Sequence, residues 1–479
     1  MNRVVVSNRI NMFNFFKVFL SNASVLISGV LVSFILPSLM SIDDYGFYKT
    51  FTLYVSYLGL FSIGLIDGIV LKYGSFDYEQ LDRSLFRSYF RWYFLIHIAF
   101  FILLSLVVVF VRSYNYKVIF LFLIFNMFAL NITGYFRQIS EITQRFKEYS
   151  IVKTLQSILT ILSIVLFWGV SYVYPHSANY ISYLFILSLT NLIIALIYVY
   201  IYRDIIGGRR YSYQSTLLST VELIRIGFPL ILANLSSTLL LALDRQFVSC
   251  LFPNKTYAIY AFAYNILSLF SLITVAFSTV IYPMLKRSSQ ESLEKDYIRY
   301  LSCFLIFSFF LLFVFFPLSF IIKKFLPTYM DSIVIFRILF PSLPLLLVIT
   351  VVLHNYYKSL GYNFLYFKIS LFVLISSSLS NFISYYFFRS TTSISFASVL
   401  NTILWFVLTT TFVPLKLNVS HFRLYLYFFV CIVFFYICSS VDNLFLALSA
   451  YLLFVIIFSF GLYRSFLYDT VRLLRRHST

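Results

Sequence analysis

Apolar residues recur along the chain in runs of about 18 to 25 positions, separated by short polar segments. A run of that length crosses about 30 Å of hydrocarbon as a helix. The pattern therefore predicts an all-α polytopic membrane protein of about fourteen transmembrane helices. The predicted spans are 13–36, 47–71, 92–111, 118–136, 151–173, 181–202, 226–251, 257–285, 300–322, 332–353, 364–388, 394–413, 424–440 and 445–463.

The composition indicates that lipid surrounds most of the chain. Hydrophobic residues make up 61% of the 479 positions and charged residues only 11%, against about 45–50% and about 25% in soluble domains. This excess is too large for a buried core alone, so a soluble enzyme is excluded. The tails and connections average about eleven residues, which leaves no room for an extramembrane domain.

The net charge of +19 comes from 36 Lys and Arg against 17 Asp and Glu. In a soluble protein this excess would suggest a nucleic-acid partner, but here the basic residues cluster in alternate connections, so we expect none. Basic connections prefer the cytoplasmic side, which predicts that both termini are cytoplasmic. The opposite side holds few basic residues, namely Arg112, Lys117, Lys255, Lys323, Lys324 and Arg389.

A weak internal repeat suggests the domain organisation. A shift of 212 residues places Asn22, Ser24, Tyr45 and Tyr48 on Asn234, Ser236, Tyr257 and Tyr260. Chance matching in so biased a composition is the alternative explanation. Six spans precede the second copy, so the copies would be parallel. We therefore predict a first six-helix lobe over 1–210, a second over 211–420, and two additional helices with a basic cytoplasmic tail over 421–479.

Two stretches of sequence resemble a known family. The segment 41–49, SIDDYGFYK, is similar to the short external turn of bacterial polysaccharide (O-antigen) flippases. The second copy carries further elements in the order of that family, namely Gly227 to Pro229, Asp244 with Arg245, Tyr257 to Tyr260, Ala263 with Tyr264, and Tyr282 with Pro283. From Ser332 onward only length and topology match.

The resemblance implies the architecture of the multidrug/oligosaccharidyl-lipid/polysaccharide exporters, with two six-helix lobes around a central cavity. It also implies a transporter rather than an enzyme. Such a flippase moves undecaprenyl-pyrophosphate-linked oligosaccharides to the periplasmic leaflet of the bacterial inner membrane, in O-antigen and lipopolysaccharide biosynthesis. The implied partners are this lipid-linked oligosaccharide, membrane lipid, and a polysaccharide polymerase with its chain-length regulator.

Basic residues inside the spans are the candidate substrate-binding groups, because a charge in hydrocarbon costs about 2.5 to 3.5 kcal/mol. They predict a cationic cavity for a pyrophosphate, since guanidinium groups bind phosphate oxygens through two parallel hydrogen bonds. For each residue, snorkelling to the interface is the alternative. These candidates are Arg245, Arg337, Lys49 and Lys17.

Four polar residues are candidates for supporting or coupling roles. Asp244 adjoins Arg245, and Asp67 is expected to pair with Lys72 or with a basic residue of another helix, or to carry a coupling proton. Asn22 and Asn234 lie at matching depth in the two copies. They either form interhelical hydrogen bonds or bind a sugar hydroxyl.

Enzyme motifs are absent from the sequence, which contains no Walker loop, GxSxG or HExxH. The four cysteines and five histidines are dispersed, so no cofactor or metal is expected. Without an ATP site, transport must draw on gradients or the membrane potential. The competing functions are a multidrug or metabolite antiporter on the same fold and an O-antigen polymerase or ligase, which would be expected to have a long periplasmic loop.

Overall fold

The computed structural model describes residues 2–74, 76–174, 178–414 and 421–477. Side chains are described within these ranges except at 2–19, 464–477 and the positions 233, 236, 237, 271–273, 275, 276, 279, 280, 282, 283 and 287. This part of the chain forms helices and no strand, which confirms the predicted all-α class. It divides into two compact units, Met1–Ala258 and Ile259–Thr479. The predicted lobe boundaries at 210 and 420 stay a prediction.

The first unit contains eight complete helices and the start of a ninth. They are α1 (Asn2–Leu39), α2 (Ile42–Val55), α3 (Leu65–Tyr73), α4 (Arg83–Val109), α5 (Tyr114–Ile142), α6 (Phe146–Val173), α7 (Tyr180–Ile201), α8 (Tyr213–Leu251) and α9 (Asn254–Arg287), with 3-10 turns at Leu58–Ser62, Tyr78–Gln80 and Arg203–Ile205.

The second unit continues α9 and contains the remaining helices. They are α10 (Gln290–Phe310), α11 (Phe315–Phe325), α12 (Ser332–Leu339), α13 (Ser342–Val348), α14 (His354–Ser359), α15 (Asn363–Phe388), α16 (Thr391–Thr411), α17 (Phe422–Ser439) and α18 (Leu444–His477), with 3-10 turns at Leu311–Val314 and Pro327–Tyr329 and a π-helical turn at Ile349–Leu353.

The described residues contain 11 helices long and apolar enough to cross a membrane, or up to 13 if each of two bent pairs is one span. The bent pairs are 42–62 with 65–73, and 332–339 with 342–359. Helix α9 coincides with the eighth predicted span and includes side chains outside the described set. A multi-pass membrane protein is confirmed, whereas the count of about fourteen stays a prediction.

The segment 41–49 begins helix α2, and its residue types explain why. The Ser41 hydroxyl accepts a hydrogen bond from the backbone N–H of Asp44 at 3.1 Å, which caps the first turn. Asp43 and Asp44 place negative charge at the positive end of the helix. A serine followed by acidic residues therefore starts the outer part of the second span at Ile42.

The second span is broken in its middle. Ile63 has φ 45° and Gly64 has φ 85°, both in the left-handed region, and the two helical parts meet at 59°. The break leaves backbone carbonyls without helical partners, and Asn131 of α5 donates its side-chain N–H to the carbonyl of Leu58 at 3.1 Å. His97 of α4 lies 2.9 Å from the same amide nitrogen. Side chains of neighbouring helices therefore stabilise the break.

Helices α3 and α8 cross at backbone contact, through glycines on both sides. A Cβ on Gly68 would lie 2.1 Å from the carbonyl oxygen of Leu223, and one on Gly227 would lie 2.0 Å from that of Gly64. Only glycine permits this approach. Beside the crossing, Lys72 and Glu222 form an ion pair at 3.0 Å. The three glycines thus determine how close the second and seventh spans lie.

The connection 203–212 is held against the first turns of α4. Arg87 donates from Nε to the carbonyl of Asp204 at 2.8 Å and from Nη1 to the carbonyl of Arg209 at 3.0 Å. The hydroxyl of Tyr78 donates to the Asp204 carboxylate at 2.8 Å. Burial, and then this hydrogen bond, raises the pKa of Tyr78 above its usual range. The chain therefore enters α8 from a fixed position.

Candidate functional site

Lys49 lies in the interior of the first unit. Its side chain is only 7% exposed, on the second turn of α2. The ammonium group lies 5.2 Å from the ring centroid of Tyr45 and 5.1 Å from that of Tyr48, distances at which cation and ring attract. The side chain therefore does not extend to the interface, the alternative that the sequence left open. It stays in the bundle among tyrosine rings.

Asp244 and Arg245 occupy the last third of α8. The Asp244 carboxyl is 5% exposed, and one of its oxygens accepts a hydrogen bond from the backbone N–H of Arg245 at 2.7 Å. The Arg245 guanidinium is half-buried and donates to the carbonyl of Leu241 at 3.1 Å. Arg245 lies about 9 Å along the helix from its end at Leu251.

The structure brings these charges together. Arg245 interacts electrostatically with Lys49, with Tyr57 and with Tyr257, so the guanidinium and the ammonium belong to one cluster. Two like charges in a medium of low dielectric constant repel each other, and an anion placed near both lowers that energy. The single carboxylate of Asp244 is also part of this cluster. With two basic groups against one carboxylate, the cluster has a net positive charge, which favours an anionic group.

The turn that begins the second span packs against the start of α9. Asn254 donates to the backbone carbonyl of Asp43 at 2.7 Å, and a Cβ on Gly46 would lie 2.5 Å from the Asn254 side chain. The hydroxyl of Tyr257 donates to the carbonyl of Lys49 at 3.2 Å. The segment 41–49, which carries part of the family resemblance, is therefore in direct contact with Asn254 and with Tyr257, the first residue of the resembling segment 257–260.

A half-buried polar group adjoins the charged cluster. Gln246 donates its side-chain N–H to the hydroxyl of Tyr54 at 3.2 Å. The ring of Tyr54 lies 6.3 Å from the ring of Tyr57, edge to face, and 5.4 Å from the ring of Phe120. The sequence analysis did not single out these residues. In the sequence, only the position of Gln246 directly after Arg245 could have indicated that it belongs to the site.

Asn22 belongs to a second polar network in the first unit. Its side-chain oxygen accepts a hydrogen bond from the ammonium of Lys153 at 2.7 Å, and the same ammonium donates to Tyr149 at 2.8 Å. Glu141 interacts electrostatically with Lys153 and Arg137. The interhelical hydrogen bond is thus formed at Asn22, between α1 and α6. Asn234, its partner in the repeat, is exposed on α8.

Asp67, Arg337 and Lys17 are the remaining candidates from the sequence. Asp67 is partly buried in the first turn of α3, whereas Lys72 forms its ion pair with Glu222 of another helix. Arg337 is in the second unit, half-buried in the last turn of α12, and interacts electrostatically with Tyr436. The side chain of Lys17 lies outside the described residues. Among the described residues, no group of three or more His, Cys, Asp or Glu could hold a metal ion.

Comparison with known proteins assigns the chain to a family. A family model described as "Polysaccharide biosynthesis protein" matches residues 12–289. No curated protein matches the chain.

Solved structures share the fold. One titled "Lipid II flippase MurJ, inward closed conformation" superposes with a TM-score of 0.70 at 17% identity, covering 95% of this chain and 100% of that one. An inward-facing multidrug resistance MATE family transporter of the MOP superfamily gives 0.61 at 14% identity, covering 84% and 96%. An outward-facing one gives 0.55 at 13% identity, covering 83% and 94%.

At these identities the similarity establishes the fold, and the sequence match establishes the family. The predicted exporter fold is confirmed over nearly the whole chain. Because the family model covers more than half of the residues, the chain belongs to the polysaccharide biosynthesis protein family, and it shares its fold with the solved lipid II flippase and MATE transporter structures.

Proposed function

We propose that the protein is a flippase for undecaprenyl-pyrophosphate-linked oligosaccharides. It moves them from the cytoplasmic to the periplasmic leaflet of the bacterial inner membrane, for O-antigen or a similar surface polysaccharide. The observation that carries the proposal is the cluster of Lys49 and Arg245 inside the first unit. Basic groups inside a membrane-spanning bundle attract an anionic headgroup more strongly than basic groups at a surface do, because the surrounding dielectric constant is lower.

The pyrophosphate group fits this cluster in the sign of its charge. Its negative charge is attracted by the ammonium of Lys49 and the guanidinium of Arg245, which outnumber the carboxylate of Asp244. The tyrosine rings around Lys49 reduce its access to water, so its attraction to an anion is stronger than at a surface. The MurJ neighbour, itself titled a lipid II flippase, is consistent with a lipid-linked cargo.

Transport needs no ATP site in this scheme. A group with about two negative charges gains roughly 2.3 kcal/mol per charge per 100 mV as it leaves a cell that is negative inside. The glycan crosses through an aqueous cavity while the polyprenyl chain stays in lipid, as the protein alternates between conformations open to either side. Both termini are cytoplasmic, and a polymerase with its chain-length regulator receives the product.

An antiporter for drugs or metabolites is the second candidate, because MATE transporters share the fold and Asp244 is a buried carboxylate in the same cluster. A cavity for organic cations requires carboxylates in excess over basic groups. In the cluster around Lys49 the basic groups outnumber the carboxylate of Asp244, which favours an anionic cargo.

The test removes the guanidinium and follows the polysaccharide. Arg245→Ala should reduce surface polysaccharide about 10- to 100-fold at matched membrane protein level, because hydrogen bonds to charged groups contribute about 1.5 to 3 kcal/mol. Lipid-linked repeat units should accumulate in the cytoplasmic leaflet. The matched control is Arg225→Ala, which removes an exposed arginine from the same helix.

Unchanged polysaccharide in Arg245→Ala would contradict the proposal. Loss of dye or cation efflux in Asp244→Asn, with polysaccharide intact, would favour the antiporter. The roles of Arg337 and Lys17 in substrate binding stay predictions, and alanine at each position tests them in the same assay.

A further inference from the structure

Two polar atoms beside the charged cluster are buried and have no hydrogen-bond partner among the described residues. They are the hydroxyl of Tyr57 and the side-chain oxygen of Gln246. Leaving such an atom unpaired and out of water costs about 1 to 3 kcal/mol, so each one calls for an explanation. Both residues lie next to Arg245, Gln246 in sequence and Tyr57 by electrostatic interaction.

The residues of the two atoms share Tyr54 as a neighbour. Gln246 is bonded to the Tyr54 hydroxyl through its amide nitrogen, and the Tyr54 ring contacts the Tyr57 ring. If the amide were turned over, its nitrogen rather than its oxygen would be unpaired. In either orientation one hydrogen-bonding position of Gln246 is unused. The side chains of Tyr54, Tyr57 and Gln246 are only half-buried, so they border the surface of the unit.

The chemistry of the two atoms selects the ligand group. A phenol hydroxyl donates a hydrogen bond and an amide oxygen accepts one. A phosphate oxygen accepts from the phenol, but it cannot donate to the amide oxygen when it is ionised. A sugar hydroxyl both donates and accepts, so it satisfies Tyr57 and Gln246 together. The ring of Tyr54, between them, offers an apolar face to a pyranose.

We propose that Tyr57 and Gln246 form a subsite for the hydroxyl groups of the first sugar, the one attached to the pyrophosphate that Lys49 and Arg245 bind. This inference rests on the proposed function and assigns recognition of the glycan to a different pair of residues from recognition of the phosphate. Both atoms are already buried away from water, so the hydrogen bonds form without a further desolvation cost on the protein side. The ligand enters when the surrounding helices separate during the transport cycle.

The experiment compares two probes on the full-length protein in nanodiscs. One is undecaprenyl pyrophosphate without sugar, and the other is the lipid-linked oligosaccharide extracted from the source cells. Wild type should bind the second more tightly. Tyr57→Phe and Gln246→Met should each lower the affinity for the sugar-bearing probe about 3- to 10-fold, which is the contribution of a neutral hydrogen bond. Their affinity for undecaprenyl pyrophosphate should be unchanged.

The difference in affinity between the two probes distinguishes a loss of sugar recognition from a folding defect, because a folding defect weakens the binding of both probes. Tyr114→Phe is the matched control, since it removes the hydroxyl of a tyrosine that is 69% exposed on α5. If Tyr57→Phe and Gln246→Met keep the full preference for the sugar-bearing probe, or if wild type has no preference, the subsite is refuted. If neither probe binds, or if Arg245→Ala leaves undecaprenyl pyrophosphate binding unchanged, the proposed function fails instead.

Discussion

The two units of the chain differ in the kind of polar group they place among apolar helices. The first unit has a lysine, an arginine and a carboxylate in one cluster, at Lys49, Arg245 and Asp244. In the second unit, carboxylates beyond the start of α10 occur only at Asp331, Asp442 and Asp469, outside the apolar stretches.

Neutral amides and hydroxyls fill the corresponding role in the second unit. Asn401 bonds to Ser376 and Ser380 between α15 and α16, and Asn355 bonds to Ser278. Neutral hydrogen bonds between membrane helices contribute about 1 kcal/mol and interact weakly with an anion. The comparison teaches that a lysine, an arginine and a carboxylate are gathered in one described cluster of the first unit, whereas the described interhelical bonds of Asn355 and Asn401 in the second unit are neutral, with Arg337 as a basic group in α12.

The largest effect is expected at the glycine crossing of the first unit. Gly227→Leu would place a side chain where a Cβ alone lies 2.0 Å from the carbonyl oxygen of Gly64. Helices α3 and α8 would have to separate, so we expect loss of folded protein, measured by size-exclusion chromatography of detergent extracts. Gly461→Ala in the second unit is the control, because nothing lies within 4 Å of its Cβ position. Normal yield of Gly227→Leu would contradict the observed helix contact.

The next effect concerns the ammonium group in the first unit. Lys49→Met keeps the length of the side chain and removes its charge. Transport of lipid-linked oligosaccharide into proteoliposomes should fall about tenfold or more, the contribution of a charge-assisted hydrogen bond. The counterpart in the second unit is Lys323→Met, near the end of α11 with an exposed side chain, which should transport normally. Equal losses in the two variants would remove the proposed asymmetry.

Replacing two buried asparagines by leucine should change the free energy of unfolding in opposite directions. Asn126 in the first unit bonds to Phe122, Ser188 and Asn191, whereas both polar atoms of Asn381 in the second unit lack a partner among the described residues. Asn126→Leu should lower the free energy of unfolding by about 1 to 2 kcal/mol. Asn381→Leu should raise it by about 1 kcal/mol, because a buried unpaired amide is removed.

Thermal unfolding in detergent, followed by intrinsic fluorescence, measures both changes. Destabilisation by Asn381→Leu comparable to that by Asn126→Leu would show that the Asn381 amide is hydrogen-bonded and would contradict the expected sign.

The smallest effect is expected in the connection between α7 and α8. Arg87→Ala removes two hydrogen bonds to backbone carbonyls, so trypsin should cleave after Arg209 or Arg210 about 3- to 10-fold faster. Cleavage after Arg389, in the second unit, is the internal reference. Arg83→Ala is the control, since its nitrogen lies 3.6 Å from the Asp204 carboxylate and the pair is exposed.

The difference in cleavage rate between wild type and Arg87→Ala should not depend on pH between about 6 and 9. The pKa of Tyr78 is raised, so its phenol stays protonated through that range, and its contribution is lost only as the pH rises through the raised value. Equal cleavage in wild type and Arg87→Ala would mean that the arginine does not hold the connection.

The sequence predicted the features that depend on composition and spacing, and not those that depend on the rotation of a helix. Apolar run length predicted the helices, and Lys49, Asp244 and Arg245 were recognisable as expensive charges. Whether a lysine extends to the interface or stays inside the bundle depends on which neighbours face it. In a chain with 21% aromatic residues, the sequence could not show that tyrosines surround Lys49.

Contacts between distant residues were equally inaccessible from one sequence. The bond between Asn22 and Lys153 joins residues 131 positions apart, and the pair of Lys72 with Glu222 joins residues 150 positions apart. The contact between the glycines of α3 and α8 could not be predicted for the same reason, because nothing in the segment around Gly68 indicates that Gly227 lies opposite. Tyr57 and Gln246 were missed since an unpaired atom is visible only when its surroundings are known.

The break at Ile63 and Gly64 has a mechanical consequence. It divides the second span into an outer part that carries Lys49 and an inner part that carries Asp67 and Gly68. The helical hydrogen-bond ladder does not continue through the joint. The part with Lys49 is bonded to the start of α9 through Asn254 and Tyr257, and the part with Gly68 lies against the backbone of α8, so the two halves of one span are fastened at different points.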